Sequence, residues 1–356
     1  MRFLNIAAAF GLTTLIVYAL VIGKFLLLPL VVAVLLWYFL IRLGEVYGHL
    51  TLGHFQLPHR VALVLAFATV YGVIYLVSTI VGNSLQAVVV EAPKYQDKFN
   101  ELVNYVNSLL GEQMVNRDQL MANLSVTDVI SRLALALSGI AGDLGLIAVY
   151  VLFLLMEQRS FDAKLRALCP TEQRYQETRV LFRRIATEVD TYLWIKTLVS
   201  LLTGALTFAV LSLFQVDFAG FWGLLTFLFN YIPYIGSIVA VALAVLVSLV
   251  QFTNPATALF LGTLLIGIQF GVGNVLEPHL MGRSLNLSPI VILLSLAFWG
   301  SIWGVWGMVL CVPAMVIINI VLAHFPQTRP VAILLSSDGR VYFAERADNA
   351  KTASDA

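Results

Sequence analysis

Few side chains of this sequence are suited to chemistry within its long apolar runs, and most of them lie in the C-terminal half. Asp143 is an acid inside one such run, and Glu277 ends another run that also contains Gln269 and Asn274. An ionisable group inside a membrane costs roughly 2.5–3.5 kcal/mol on insertion scales and usually faces a cavity or a partner. These residues therefore suggest a polar site that binds a proton, an ion or a small polar solute.

Two roles stay open for each acid. Asp143 either exchanges an ion or a proton, or bonds a neighbouring backbone group near the outer edge of its run. Glu277 precedes Pro278 and is otherwise explained as an interfacial acid. Asn230 and Asn319 add amide groups near interruptions in two further apolar runs, and so extend the list of candidates.

Enzyme and metal chemistry find little support in the sequence. The segment 137–139 lacks the first glycine of a serine-protease elbow, and no Gly-x-x-x-x-Gly-Lys-Ser/Thr loop is present. His49, His54 and His59 recur every five residues, which would spread them around a helix instead of gathering them about a metal. The sequence therefore predicts no enzyme and no cofactor, apart from Na⁺ or H⁺ as a coupling ion.

Composition identifies the surroundings in which these residues act. The chain has 356 residues, of which 60% are hydrophobic and 12% charged, and its mean hydropathy is +0.90. Soluble domains are about 45–50% apolar and about 25% charged. With a net charge of only +1, the sequence excludes a soluble enzyme, a disordered chain and a nucleic-acid binder. It predicts an integral protein of the lipid bilayer.

Apolar runs long enough to cross a hydrocarbon core predict a polytopic all-α protein with about eight membrane segments. Six have ordinary length: 3–23, 25–43, 61–82, 133–156, 192–214 and 256–276. The predicted organisation is transmembrane helices 1–3 (1–82), an external amphipathic segment (83–132), helix 4 (133–156), a cytoplasmic helical linker (157–191), a C-terminal bundle (192–322) and a cytoplasmic tail (323–356).

Two further runs, 218–250 and 289–322, are too long for one crossing. Each would measure about 50 Å as a straight helix at about 1.5 Å per residue. Both carry helix breakers near the middle, which are Asn230, Pro233 and Gly236 in the first run and Gly300, Gly304 and Gly307 in the second. We expect each run to be a broken helix or a re-entrant hairpin. A single long kinked helix is the alternative.

Charge predicts the orientation of the chain. The segment 157–191 carries seven Lys and Arg residues, whereas 83–132 carries four against six acids, a net of −2. Basic residues collect on the cytoplasmic side, which places the linker and both termini there. The loop 277–288, with Arg283, falls inside if the long runs are hairpins and outside if they are full crossings.

Three extramembrane features carry local predictions. An amphipathic helix over 93–110 would lie on the membrane, pair with another subunit or cover a cavity mouth. Thr171 is expected to cap a helix that continues into the fifth span. The run 331–343 predicts either a small β-hairpin about Asp338-Gly339 or disorder.

Two motifs in the C-terminal half resemble the PerM-like, or autoinducer-2 exporter, family of bacterial inner-membrane proteins. They are Asn-Tyr-Ile-Pro-Tyr-Ile-Gly at 230–236 and Glu-Pro-His-Leu-Met-Gly-Arg-Ser-Leu-Asn-Leu-Ser-Pro at 277–289, and the order of spans agrees across nearly the whole chain. The resemblance implies a transporter assembled as a homo-oligomer. It implies export of the signalling molecule autoinducer-2, or exchange of Na⁺ or Li⁺ for protons. The positions it carries over are Asn230, Pro233, Gly236, Glu277, Pro278, Gly282, Arg283 and Pro289.

We hypothesise secondary transport through a polar site between the two broken segments. The predicted pathway residues are Asp143, Asn230, Pro233, Gly236, Gln269, Asn274, Glu277, Arg283, Gly304 and Asn319. Glu277 or Asp143 would exchange the coupling ion, and Arg283 would clamp Glu277 or a cytoplasmic acid. A passive channel or a non-transporting scaffold remains the alternative.

Overall fold

A computed structural model describes residues 2–49, 51–52, 55–56, 58–110, 144–252, 254–281 and 286–339. A two-residue antiparallel ladder pairs Thr51 with Gln56 and Leu52 with Phe55. The elements in chain order are α1 (Arg2–Ile22), α2 (Lys24–His49), β1 (Thr51–Leu52), β2 (Phe55–Gln56), α3 (His59–Leu110), α4 (Leu144–Leu168), α5 (Glu172–Leu213), α6 (Ala219–Phe229), α7 (Ile235–Gln251), α8 (Pro255–Phe270), a π-helical turn (Gly271–Leu276), α9 (Glu277–Met281), α10 (Pro289–His324) and α11 (Arg329–Leu335).

Length and composition confirm a polytopic helical membrane protein. Within the described part of the chain, five helices qualify as membrane spans: Lys24–His49, Arg60–Ser84, Glu172–Leu213, Pro255–Met281 and Pro289–His324. A sixth candidate is a pair bent by 66°, Leu144–Gln158 with Ser160–Leu168. Asp143 lies outside the described residues.

The first over-long run folds back on itself. α6 and α7 are separated by a break at 230–234, where Tyr234 has a φ of +59°. The Gln251 side chain accepts from the Asp217 backbone N–H at 2.8 Å and donates to the Gln215 carbonyl at 2.8 Å. The two ends of the run therefore meet, which confirms a re-entrant hairpin, here called hairpin 1 (α6, the break and α7).

The second over-long run is also a hairpin. Gly304 interrupts α10 with φ +62° and ψ −139°, a conformation that favours glycine. The Ser295 hydroxyl donates to the Cys311 carbonyl at 3.2 Å, whereas residues sixteen apart in a straight helix would be separated by about 24 Å. We call this element hairpin 2 (Pro289–His324). The alternative of one long kinked helix is wrong for both runs.

The hairpins enter the bundle from opposite sides. Hairpin 1 begins directly after α5 ends, whereas α8 runs back along α5 until Glu277 reaches Lys196. Hairpin 2 therefore starts on the side where α5 begins, here called the linker side. The opposite side is called the far side. The described parts of the loop, 277–281 and 286–288, thus lie on the linker side, as expected for hairpins.

α5 is the axis around which both hairpins pack. Its far-side residue Leu211 belongs to a buried cluster with Phe221, Trp222 and Leu225 of hairpin 1. Its linker-side residues Tyr192 and Leu193 belong to a second cluster, which holds Ile232 of the hairpin 1 tip and Leu287, Leu296, Trp299, Cys311, Val312, Val316 and Ile320 in or beside hairpin 2. One helix thus supports two cores, one on each side.

The N-terminal helices attach to this bundle through apolar packing, in which Leu35 and Phe39 contact the linker-side cluster, and through a few polar contacts. α2, α3 and α4 share a core that includes Ala33, Ala66 and Ile147. Arg42 Nε donates to Asp190 Oδ1 of α5 at 3.1 Å. At the tip of hairpin 2, Trp303 Nε1 donates to the Leu20 carbonyl of α1 at 3.1 Å.

The junction of α4 with α5 confirms the predicted helix cap. The Thr171 hydroxyl accepts from the Arg174 backbone N–H at 3.3 Å, and α5 continues without interruption into the membrane span. The Tyr175 hydroxyl donates to Asp162 of α4 at 2.9 Å, and this hydrogen bond raises the pKa of Tyr175. The linker is therefore an ordered helical corner.

One expectation needs correction, and one predicted span belongs to a longer helix than expected. The β-hairpin or disorder expected over 331–343 is wrong at its start, because Pro330 initiates the helix α11, whose Leu335 carbonyl accepts from the Ser288 N–H at 3.0 Å. Residues 340–343 lie outside the described part. The third span, Arg60–Ser84, agrees with the expected 61–82, but its helix α3 continues to Leu110, and Lys98 Nζ donates to the Gln251 carbonyl at 3.3 Å. That contact favours the alternative in which 93–110 covers the mouth, here the base of hairpin 1.

We predict that the hairpin 1 tip depends on glycine at position 236. A Cβ there would overlap the Phe229 carbonyl oxygen, whereas a Cβ at Gly267 in α8 would meet nothing. Gly236→Ala should therefore destabilise the protein by about 1–3 kcal/mol through overpacking. Gly267→Ala should be neutral or slightly stabilising. Thermal unfolding of the purified variants in detergent measures both, and equal melting temperatures would contradict the described tip.

Candidate functional site

A buried ion pair lies between α5 and the start of α9. Lys196 Nζ is 2.6 Å from Glu277 Oε1, and the two side chains are 7% and 17% exposed. Removing such charges from water is costly, and the pair persists only if its geometry is good and its remaining polar groups have partners. Its position inside two membrane spans makes it the natural centre of a polar site.

A π-helical turn positions Glu277. Residues Gly271–Leu276 form this turn directly after α8, and the Glu277 N–H bonds to the Val272 carbonyl five residues earlier. Such turns insert an extra residue into a helix and recur at functional sites. Here the turn redirects the side chains that follow α8, so that the Glu277 carboxylate reaches Lys196.

Asn230 joins the tip of hairpin 1 to both neighbouring spans. Its Oδ1 accepts from Gln269 Nε2 at 3.2 Å, and its Nδ2 donates to the Ser200 hydroxyl at 3.1 Å. Asn230 is only 4% exposed. Because one amide bonds to α5 and α8 at once, it fixes the depth of the tip beside the ion pair.

Tyr231 adds a second bond from the tip to α5. Its hydroxyl donates to Thr197 Oγ1 at 2.8 Å, and that hydroxyl donates to the Leu193 carbonyl at 2.7 Å. Tyr231 follows Asn230 directly in sequence. The family-like motif 230–236 thus supplies two side chains that bind α5 and a tight turn that presents them.

Buried polar residues continue along one face of α5. Their spacing of four, three and four residues keeps them on a single helical stripe, and they are Lys196, Ser200, Thr203 and Thr207. The stripe rises about 17 Å at about 1.5 Å per residue. Facing it, hairpin 1 contributes Thr226 and Asn230, both buried. We call these residues, with Gln269 and Glu277, the polar seam.

The structure brings together three of the predicted pathway residues, Asn230, Gln269 and Glu277. Pro233 and Gly236 form the hairpin 1 tip, and Gly304 forms the break in hairpin 2. The side chain of Asn274 is exposed. Asn319 is buried in hairpin 2, and within the described part of the chain its Oδ1 has no hydrogen-bond partner.

Asp143 and Arg283 lie outside the described residues. Among the described residues the ion partner of Glu277 is Lys196, and the clamp expected of Arg283 stays a prediction. Sequence reasoning missed Lys196, although a lysine five residues into the run 192–214 is an available signal, since ionisable residues are rare inside spans. Among the described residues no group of three His, Cys, Asp or Glu side chains is arranged to hold a metal.

We predict strong coupling between Lys196 and Glu277 in stability. Lys196→Met or Glu277→Gln alone leaves one buried partner uncompensated and should cost about 3–5 kcal/mol. The double variant removes both charges and should recover most of that loss. Chemical unfolding of the four proteins in detergent gives the coupling energy as a double-mutant cycle.

The exposed pair of Lys164 and Glu157 is the matched control. These side chains are 62% and 53% exposed, so that Lys164→Met should change stability by less than about 1 kcal/mol. Additive losses at Lys196 and Glu277 would show that the two charges do not act as a pair.

Comparison with known proteins agrees with this architecture. The profile described as AI-2E family transporter matches residues 6–327. The AI-2 transport protein TqsA of Escherichia coli strain K12 is 30% identical over 341 residues, 94% of this chain and 96% of that protein. A putative transport protein of Haemophilus influenzae is 30% identical over 290 residues, 79% and 82% of the two chains. The putative transport protein YhhT of Escherichia coli strain K12 is 32% identical over 239 residues, 67% and 66%. The chain therefore belongs to the AI-2E family of membrane transporters.

Proposed function

We propose that this protein is a secondary transporter that exports a small uncharged polar solute of the autoinducer-2 type across the bacterial inner membrane. The observation that carries the proposal is the Lys196–Glu277 ion pair, held beside the tip of a re-entrant hairpin within a polar seam. Interrupted segments of this kind mark the binding region of many transporters.

Two hairpins that enter from opposite sides support alternating access. Hairpin 1 packs on the far-side half of α5 and hairpin 2 on its linker-side half. Each hairpin separates the ion pair from one side of the membrane. Displacement of one hairpin at a time opens the polar seam to one side and keeps the other closed.

Charge balance favours a neutral solute. Lys196 and Glu277 neutralise each other, so the site has no net attraction for a bare cation. Na⁺ or Li⁺ would have to displace the Lys196 ammonium from the carboxylate. Exchange of these ions for protons is therefore the weaker candidate, although it was expected equally from the resemblance.

A proton is the coupling ion we propose. Protonation of Glu277 would release Lys196 and change the charge of the seam. Moving one charge through a potential of about 100 mV is worth roughly 2.3 kcal/mol. That energy is enough to bias the seam toward one of its two openings.

Orientation and assembly complete the proposal. The basic residues of 157–191 favour a cytoplasmic linker side, so that both termini are cytoplasmic. We further propose a homo-oligomer in the lipid bilayer, as the family resemblance implies. Large apolar side chains such as Phe25 and Tyr71 are 76% and 72% exposed, which suits contact with lipid or another subunit.

We predict that Glu277→Gln strongly reduces proton-driven export. Liposomes containing purified protein and internal autoinducer-2 are given a pH gradient, and the efflux is measured by mass spectrometry. The variant cannot exchange a proton at residue 277, and losing a charged hydrogen-bond partner should lower the rate about tenfold or more. Glu157→Gln, in the exposed linker pair, should transport like the wild type.

Other outcomes identify the alternatives. Efflux that follows the concentration of autoinducer-2 and ignores the gradient would indicate a passive channel. Gradient-driven uptake of radioactive Na⁺ without movement of autoinducer-2 would indicate cation exchange. Absence of all flux through correctly folded protein would favour a scaffold that transports nothing.

A further inference from the structure

The Tyr192 hydroxyl is buried and has no hydrogen-bond partner among the residues that the structure describes. The side chain is 3% exposed, and in the described part of the chain three polar side-chain atoms share this state: Tyr192 Oη, Trp222 Nε1 and Asn319 Oδ1. Buried polar groups are normally bonded, and each exception needs an explanation such as a bound molecule. A phenol in a membrane interior is destabilising there unless something binds it.

Tyr192 lies at the linker-side end of the polar seam. It precedes Lys196 by one helical turn, so that both side chains share a face of α5. Met281, in the short helix that begins at Glu277, belongs to the same buried cluster as Tyr192. Apolar residues of both hairpins, among them Ile232 and Leu296, belong to the same buried cluster. The hydroxyl is therefore at the place where the two hairpins meet beside the ion pair.

The other two unbonded polar atoms are less well placed to bind a solute. Trp222 belongs to the far-side cluster with Leu211 and Leu225, away from the ion pair. Asn319 makes no hydrogen bond to any described member of the polar seam. Of these three residues, only Tyr192 has its unbonded polar atom beside residues of the proposed transport site.

We infer that the Tyr192 hydroxyl is a hydrogen-bond contact for the transported solute and helps to select a solute that carries hydroxyl or carbonyl groups. This inference rests on the proposed function. A phenol can donate and accept, and it stays neutral. It therefore complements Lys196, which only donates, and Glu277, which accepts as a carboxylate. Together they match a small polyfunctional solute without adding net charge.

Replacing Tyr192 by Phe separates a binding role from a structural one. Tyr192→Phe keeps the ring in its cluster and removes an unsatisfied group, so that the melting temperature of the unliganded protein should stay equal or rise. Its KM for autoinducer-2 efflux from liposomes should rise about threefold to tenfold, as expected for one lost hydrogen bond. The maximal rate should change less than the KM.

Tyr175→Phe is the matched control. Its hydroxyl is also on a buried residue but donates to Asp162 in the linker. This variant should lower the melting temperature and leave the KM unchanged.

Three results would overturn the inference. An unchanged KM in Tyr192→Phe would show that the hydroxyl does not bind solute. A melting temperature lowered as in Tyr175→Phe would show that the hydroxyl has a structural partner, such as a buried water. Wild-type protein that does not move autoinducer-2 would refute the proposed function itself, and that failure is visible before any variant is compared.

Discussion

Backbone hydrogen bonding inside the bilayer is the constraint on which this structure depends. No water is present in the hydrocarbon core, so a helix can break there only if its freed N–H and C=O groups find partners in the protein. In the tip of hairpin 1, the Ile232 N–H donates to the Phe229 carbonyl at 2.8 Å, and the Gly236 N–H donates to the Ile232 carbonyl at 3.2 Å. Pro233 has no N–H to satisfy. Part of the backbone that the break frees at membrane depth is therefore paired within the tip itself.

The same tight tip explains how a polar site is formed in an apolar bundle. A turn that closes on itself leaves the side chains of Asn230 and Tyr231 free to bond outward, and they bond to Ser200 and Thr197 of α5. These bonds hold the tip at the level of Lys196, where the π-helical turn has brought Glu277. Backbone geometry thus comes first, and the site follows from it.

Sequence reasoning succeeded where length and local chemistry decide the structure. An apolar run of about 50 Å with Pro233 or Gly304 near its middle cannot be one crossing, and both runs are hairpins. The helix cap at Thr171 was also predicted from the sequence.

Sequence reasoning failed where the packing of helices against one another determines the structure. The spacing of Gln269, Asn274 and Glu277 does not predict a π-helical turn. The periodicity of an ideal α-helix would direct the Glu277 side chain toward neighbours other than those it has in the structure. The helix α11 was likewise missed, because β-branched residues and an Asp-Gly pair suggested strands, whereas docking against Ser288 favours a helix.

The two hairpins are alike in backbone and different in chemistry, and this difference suggests a division of labour. In each tip a glycine faces a carbonyl of the preceding helix, Gly236 against Phe229 and Gly307 against Trp299. The first tip carries amide and hydroxyl groups that bond to α5. The second carries indole rings, with Trp299 and Trp303 centred 5.2 Å apart, and Trp303 bonds to α1 instead of the polar seam. Hairpin 1 therefore contributes polar groups to the site, whereas hairpin 2 surrounds it with large apolar surfaces that exclude water.

The exclusion of water strengthens the Lys196–Glu277 attraction, because the effective dielectric constant between the two charges falls. An ion pair that is strong while the seam is closed and weaker when water enters it would couple the state of the hairpins to the charge on Glu277.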